Sequence, residues 1–224
     1  LLIGGVQMGD QVKALNEGVD VLIATPGRLM DLFERGKILL NGCELLVIDE
    51  AYVAFADDDA LTLVRRHSNV VILRTLSKSH ALAGLRLGFA IAQPAVVEGL
   101  AKVKDSYNVG AIAARVGAAA IRDVAHTRRI VAQIKASRTR LAAALETRGC
   151  RVWPSQANFL LMRPPGGDAE RVYRELETRG ILVRYFGETL LSDTLRITVG
   201  TDEEQTTLLE TLDTILDGGT AAIG

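Results

Sequence analysis

Sulfur and histidine are scarce in this chain: its 224 residues hold two cysteines, Cys43 and Cys150, and three histidines. The cysteines stand far apart with no Cys-x-x-Cys or Cys/His spacing, so neither a disulfide framework nor a zinc site is implied and no metal is assigned. No apolar run approaches the ~18 residues that cross a bilayer, and the first residues lack the basic flank and small-residue cleavage site of a signal peptide. A cytoplasmic location with no membrane partner is expected. An excess of either charge is missing as well. A net charge of -1 gives no basic surface to displace counterions from phosphate, which argues against nonspecific nucleic-acid binding. What the chain does have is 48% hydrophobic residues, enough for one compact core or two small ones. It opens on Leu1 rather than methionine, as a piece of something longer would.

Short apolar runs alternate with longer helical patterns, the rhythm of βαβ units around a mostly parallel sheet. Strands are expected at Leu1 to Ile3, Val21 to Ala24, Leu45 to Ile48, Val70 to Leu73 and Leu87 to Ala92. Helices are expected at Asp10 to Asn16, Gly27 to Arg35 and Ala60 to His67. The run Glu44-Leu-Leu-Val-Ile-Asp49 has the composition of a strand buried on both faces. From Ala111 to Arg122 and from about Ala125 to Arg148 the sequence is Ala-rich and helical, and Gly149 stops the second of these helices. A smaller α+β unit follows, with antiparallel strands at Asn158 to Met162 and Leu195 to Val199. Its helices fall at Ala169 to Arg179 and Glu203 to Leu216, and a frayed tail begins at Gly218. The predicted architecture is thus an α/β sheet domain over 1–124, a connecting helix over 125–148, a small α+β domain over 149–218 and a tail.

Residues 1 to 50 carry Gly4-Gly5, Gln11, Gly18-Val19-Asp20, Ala24-Thr25-Pro26-Gly27-Arg28 and Val47-Ile48-Asp49-Glu50-Ala51. In order and spacing this set resembles the first RecA-like domain of DEAD-box RNA helicases. The resemblance implies RNA-backbone contact at Thr25-Pro26-Gly27-Arg28 and magnesium-ATP at Asp49-Glu50. Two departures count against that activity. The fourth letter of the box is Tyr52 rather than Asp, and no GxxxxGK[ST] loop is present to cradle nucleotide phosphates.

Asp49-Glu50-Ala51-Tyr52 also opens a second series: Thr75-Leu76-Ser77-Lys78, Ala83-Gly84-Leu85-Arg86-Leu87-Gly88, Tyr107-Asn108, Ala157-Asn158-Phe159 and Leu195-Arg196-Ile197-Thr198-Val199-Gly200. This series resembles histidinol-phosphate aminotransferases, which belong to the class I/II pyridoxal-phosphate-dependent aminotransferases. Together the two resemblances read as a chimera whose crossover lies in the strand ending at Asp49, an apolar strand that suits both folds.

Pyridoxal-phosphate chemistry needs a lysine that binds the cofactor covalently and a carboxylate against the pyridine nitrogen, so that the protonated ring withdraws electrons. Lys78 and Asp49 match these positions. Both fall just past apolar strands, at the sheet edge where open α/β folds bind ligands. For Asp49, the role of a former magnesium ligand stays open. The resemblance further assigns Tyr52 to the cofactor's phenolic oxygen, and Thr75, Ser77 and Arg86 to its phosphate, which hydroxyls and a guanidinium suit. It assigns Arg196 to the substrate α-carboxylate and Arg184 to the neighbourhood of the substrate phosphate. Tyr185-Phe186 departs there from the family's usual charged pair. His67, His80 and His126 are isolated and receive no role.

A glycine/serine phosphate turn, a ring-stacking aromatic and the family's Asn-Pro-x-x-Pro-Thr-Gly asparagine are not found between Leu1 and Ile48. Weak cofactor affinity and impaired transamination of amino and 2-oxo acids are therefore expected, with a homodimer as the family's usual assembly. Two other readings remain open: a folded chimera with no catalytic activity, and nucleotide or RNA binding that depends on Arg28 and Glu50.

Overall fold

The computed structural model describes residues 9, 12, 13, 16, 17, 23, 24, 32 and 35, then 44–187 and 190–220. The expected strand Leu1 to Ile3, most of the helices Asp10 to Asn16 and Gly27 to Arg35, and the Thr25-Pro26-Gly27-Arg28 turn lie outside the described residues. Two compact units divide the chain, Leu1–Thr127 and Arg128–Gly224.

The first unit holds β1 (Ile23–Ala24), β2 (Leu46–Asp49), β3 (Val70–Thr75) and β4 (Gly88–Ala92), side by side in that order. β1, β2 and β3 run parallel, with α1 (Leu61–Arg66) between β2 and β3. β4 is antiparallel to β3, a departure from the βαβ rhythm. The connection from Leu76 to Leu87 carries only a short 3-10 turn at Ala83–Leu85 and no crossover helix, so the chain must return in the opposite direction. The expectation of a β2 apolar and buried on both faces is corrected. Leu46 and Ile48 are fully buried, whereas Val47 and Asp49 on the other face are exposed. Leu46 and Ile48 of β2 and Val70 and Ile72 of β3 pack with Leu32, Leu63 and Val64 into one core beneath a single face.

Beyond the sheet come α2 (Pro94–Val103), which the apolar pattern did not single out, and α3 (Ala111–Arg122). Pro94 starts α2, where a missing N–H costs nothing. Neither helix buries a large side chain, and Val103 and Ile112 face solvent. α3 lies close to the β3–β4 connection because position 117 is glycine. A Cβ there would fall 2.3 Å from Leu87 Cδ2 and 3.2 Å from Leu76 Cδ1.

The second unit takes up most of α4 (Val124–Thr147), then β5 (Arg151–Val152), β6 (Phe159–Arg163), α5 (Ala169–Thr178), β7 (Arg184–Tyr185), β8 (Leu195–Thr198) and α6 (Asp202–Thr220). Gly149 ends the turn after α4 with φ 75°, a conformation that side chains resist. The strands form an antiparallel sheet in the order β5-β6-β8-β7. Leu141 and Leu145, Val172 and Leu176, and Leu208 and Leu212 recur at helical i, i+4 spacing. All six side chains meet Leu160, Met162, Leu195 and Ile197 of the sheet in one core. Asp168 caps α5 by accepting from Arg171 N–H at 3.1 Å, and Thr201 with Glu204 forms a reciprocal capping box at α6. α6 continues through Gly218 to Thr220, where fraying was expected, since glycine weakens a helix by about 1 kcal/mol without forbidding it.

Arg148 grips Asp213 of α6 with two hydrogen bonds, Nε to Oδ1 at 2.6 Å and Nη2 to Oδ2 at 2.8 Å. These bonds hold the Asp213 carboxyl below its ordinary range. A lowered folded-state pKa gives stability that is present above the unfolded value and lost as pH falls through the folded one. The stability gap between this chain and Asp213→Asn, read from urea unfolding, is therefore expected to be open at pH 6. It should close as the pH drops below about 3.9. An equal gap at both ends of that range would show that the pair contributes nothing through charge.

Candidate functional site

Asp49 and Thr75 end β2 and β3, which run parallel and in register (Ile48 beside Ile72, Asp49 beside Leu73), so both residues arrive at one sheet edge. This is the carboxyl edge, where the chain leaves its strands and side chains are free of the ladder. The Asp49 carboxylate is exposed and accepts Ala51 N–H at 2.9 Å, a turn that starts the loop carrying Tyr52. Lys78 is also exposed, and its Nζ lies 5.4 Å from the centre of the Tyr52 ring. The β2 loop and the β3 loop thus meet through these two side chains.

Thr75 and Ser77 are joined directly: their hydroxyls are 2.8 Å apart, and Ser77 N–H donates to Thr75 Oγ1 at 3.1 Å. Thr75 Oγ1 is also 3.4 Å from Leu87 O, next in sequence to Arg86. The intervening turn is tightly wound. Ala81 N–H donates to Lys78 O and Leu82 N–H to Leu76 O, both at 3.1 Å. Ala81 and Arg86 take φ of 54° and 52°, left-handed conformations that non-glycine residues adopt at a cost and that cluster at functional sites. Arg86 donates from Nη1 to Ala83 O at 2.9 Å and is exposed. Five of the expected cofactor residues, Asp49, Tyr52, Thr75, Ser77 and Lys78, therefore fall at one edge, where Thr75 bonds Ser77 and Lys78 meets the Tyr52 ring. Arg86 leaves the same turn one residue from Thr75's neighbour Leu87.

Three features of this edge were not legible in the sequence. His80, to which no role was given, shares a 3.0 Å hydrogen bond through Nδ1 with Ser79 Oγ, and burial lowers its pKa. Glu50 is buried, not turned to the edge. Its Oε1 accepts Ala60 N–H at 2.6 Å, and its Oε2 accepts Arg74 Nε at 2.9 Å and is ion-paired with Nη2 at 2.7 Å. A carboxylate engaged on both oxygens and shut from solvent is poorly placed for magnesium, which keeps waters of its own. Gly88, within the expected glycine-rich run, brings β4 close to β3. A Cβ there would lie 2.8 Å from Arg74 O.

In the second unit Arg184 and Arg196 are direct cross-strand partners. Like charges placed opposite one another repel. Aromatic faces support them: Phe186 lies 5.5 Å from the Arg184 guanidinium and 5.9 Å from that of Arg196, and Phe159 lies 5.2 Å from the latter. The Phe186 that broke the family's charged pair is therefore the ring shared by both arginines.

A parallel sheet with a lysine-bearing turn at its carboxyl edge, followed by an antiparallel α+β unit, agrees with what the comparisons with known proteins show. The aminotransferase class I and II family matches residues 27–212, and the chain belongs to that family. Histidinol-phosphate aminotransferase 1 of Nostoc sp. is 57% identical over 204 residues, 89% of this chain and 58% of that protein. The crystal structure of histidinol-phosphate aminotransferase from Sinorhizobium meliloti, in complex with pyridoxal-5'-phosphate, superposes with a TM-score of 0.79 at 23% identity. That match covers 91% of this chain and 59% of the other. The Clostridium acetobutylicum histidinol-phosphate aminotransferase gives 0.81 at 19% identity over 95% and 68%. At those identities the two structures show the shared fold. The chain spans 58% of the length of its Nostoc relative.

These matches move the boundary drawn at Asp49. The family match begins at residue 27, inside the stretch that resembles a helicase, so the aminotransferase part starts ahead of Asp49.

Proposed function

We propose that this chain forms the lysine-bearing and substrate-reading part of a pyridoxal-phosphate-dependent aminotransferase that acts on histidinol phosphate and a 2-oxo acid. The observation that carries the reading is the placement of Asp49, Tyr52, Thr75, Ser77 and Lys78 at one sheet edge. Its chemistry fits the cofactor: Lys78 supplies an amine for the carbonyl, Asp49 a carboxylate for the ring nitrogen, and Tyr52 a hydroxyl for the phenolic oxygen. Thr75, Ser77 and Arg86 supply donors for the phosphate. The cofactor, when bound, supplies the electron sink. Arg196 and Arg184 would take the substrate's carboxylate and phosphate, since the planar fork of a guanidinium matches both anions.

Calorimetric titration of the full chain with L-histidinol phosphate and with L-histidinol tests the substrate assignment. The phosphate ester is expected to bind at least about tenfold tighter, the equivalent of one charge-assisted bond. Arg184→Met should erase that preference. It should also stabilise the second unit by roughly 0.5 kcal/mol, because it removes a like-charge cross-strand pair. Equal binding of the two ligands defeats the assignment. We place the protein in the cytoplasm, expect a homodimer, and expect the chain alone to transaminate slowly, since the family's phosphate-turn, stacking and asparagine residues are not found ahead of Asp49.

A second reading rests on the order Gly4-Gly5, Gln11, Gly18-Val19-Asp20 and Ala24-Thr25-Pro26. It supports a helicase-derived first segment and hence a chimera. RNA or ATP affinity lost on Arg28→Ala would favour it, and the enclosed position of Glu50 speaks against it.

A further inference from the structure

Glu50 is a carboxylate placed where burial alone would not choose one. Its side chain is shut from solvent, a costly position for a charge unless every bond is made. Here they are made. Ala60 N–H reaches Oε1, and Arg74 reaches Oε2 twice and extends to Asp59 Oδ2 at 3.2 Å. Such a pair is weak evidence of added stability, because apolar residues of similar volume often do as well, but its directional bonds fix geometry. The geometry fixed here is that of two strand ends. Glu50 follows Asp49 directly, and Arg74 directly precedes Thr75. Asp59 and Ala60 close the loop that carries Tyr52.

We propose that Glu50, Arg74 and Asp59 form a positioning clamp that sets Asp49 and Tyr52 in place against Thr75, Ser77 and Lys78. The proposal rests on the cofactor reading of those five residues. None of the clamp residues touches cofactor or substrate; each acts through a neighbour in the chain. Glu50 is thereby conscripted from an acidic pair into a structural tie, a use of the Asp-Glu dipeptide that the sequence does not announce.

Glu50→Gln keeps the size and the acceptor for Ala60 N–H but removes the charge that holds Arg74. Val70→Ala, at the opposite end of β3 and fully buried, is the control for a simple loss of stability. The first readout needs no cofactor. It is amide hydrogen exchange at Glu50 and Leu76, whose N–H groups donate to Leu73 O at 2.8 Å and Leu87 O at 3.1 Å. In Glu50→Gln, exchange at these two amides is expected to rise about tenfold over Val70→Ala under conditions of equal global stability, the effect of one weakened charged hydrogen bond. The second readout is the pH midpoint of the visible band that pyridoxal phosphate gives on the full chain, which should move in Glu50→Gln and stay in Val70→Ala. Exchange equal in the two variants overturns the clamp, as does an unmoved midpoint in a chain that binds the cofactor. If exchange responds while the unsubstituted chain takes up no cofactor, the clamp stands and the cofactor reading falls.

Discussion

Lys78→Ala is expected to abolish covalent capture of pyridoxal phosphate completely. The full chain, treated with the cofactor and then borohydride, should retain a phosphopyridoxyl group on the tryptic peptide containing residue 78, and the variant should retain none. The loss should be specific to chemistry. Lys78 is exposed, and its ammonium lies 5.4 Å from the centre of the Tyr52 ring. Removing a surface cation–π contact costs only about 0.5–1 kcal/mol, so circular dichroism and the unfolding midpoint should change little. A variant that still traps the cofactor on another lysine would remove Lys78 from its role. Failure of the unsubstituted chain to trap any would mean that the motifs survive here as scaffold.

Gly88→Val is expected to be the most damaging single substitution at the sheet edge. A Cβ at position 88 would lie 2.8 Å from Arg74 O, and that oxygen is backbone within a paired strand, with no rotamer to yield. β4 would have to move away from β3 at the pair Thr75–Gly88. Overpacking of this kind costs roughly 2–3 kcal/mol, which urea unfolding of the variant would register. The displacement should also loosen Thr75, whose hydroxyl lies 3.4 Å from Leu87 O, and so weaken phosphate binding. Unchanged stability would mean that β4 tolerates displacement and that glycine at this position is incidental.

The two substitutions separate what could be read along the chain from what could not. Lys78 stands out as a candidate because Thr75-Leu76-Ser77-Lys78 and Ala83-Gly84-Leu85-Arg86-Leu87-Gly88 are local signals, in which residue types and spacing lie within one connection. The positions of β2 and β3, the stop at Gly149 and the long helices of the second unit were legible for the same reason: their signals are short-range properties of backbone geometry. Glu50 was misleading on its own. Beside Asp49 it looked like half of a metal-binding pair, and only the arrival of Arg74, 24 residues later on the neighbouring strand, makes it a buried tie.

β4 shows the same limit from the side of topology. Its composition suited another parallel strand, and the direction was decided by a connection too short to hold a crossover helix. In the second unit the sequence supplied Arg184 and Arg196 as separate candidates. The β7–β8 register placed them opposite one another with Phe186 against both.

By itself, then, the sequence determined which residues carry amine, hydroxyl, carboxylate and guanidinium chemistry, and where the longer strands and most of the helices fall, because those properties are set within a few residues. Tertiary structure decided which acid is exposed and which is buried, which strand reverses, and which charges face each other. Those outcomes depend on pairing register and burial between segments far apart in the chain, and their free energies exist only once both partners are in place.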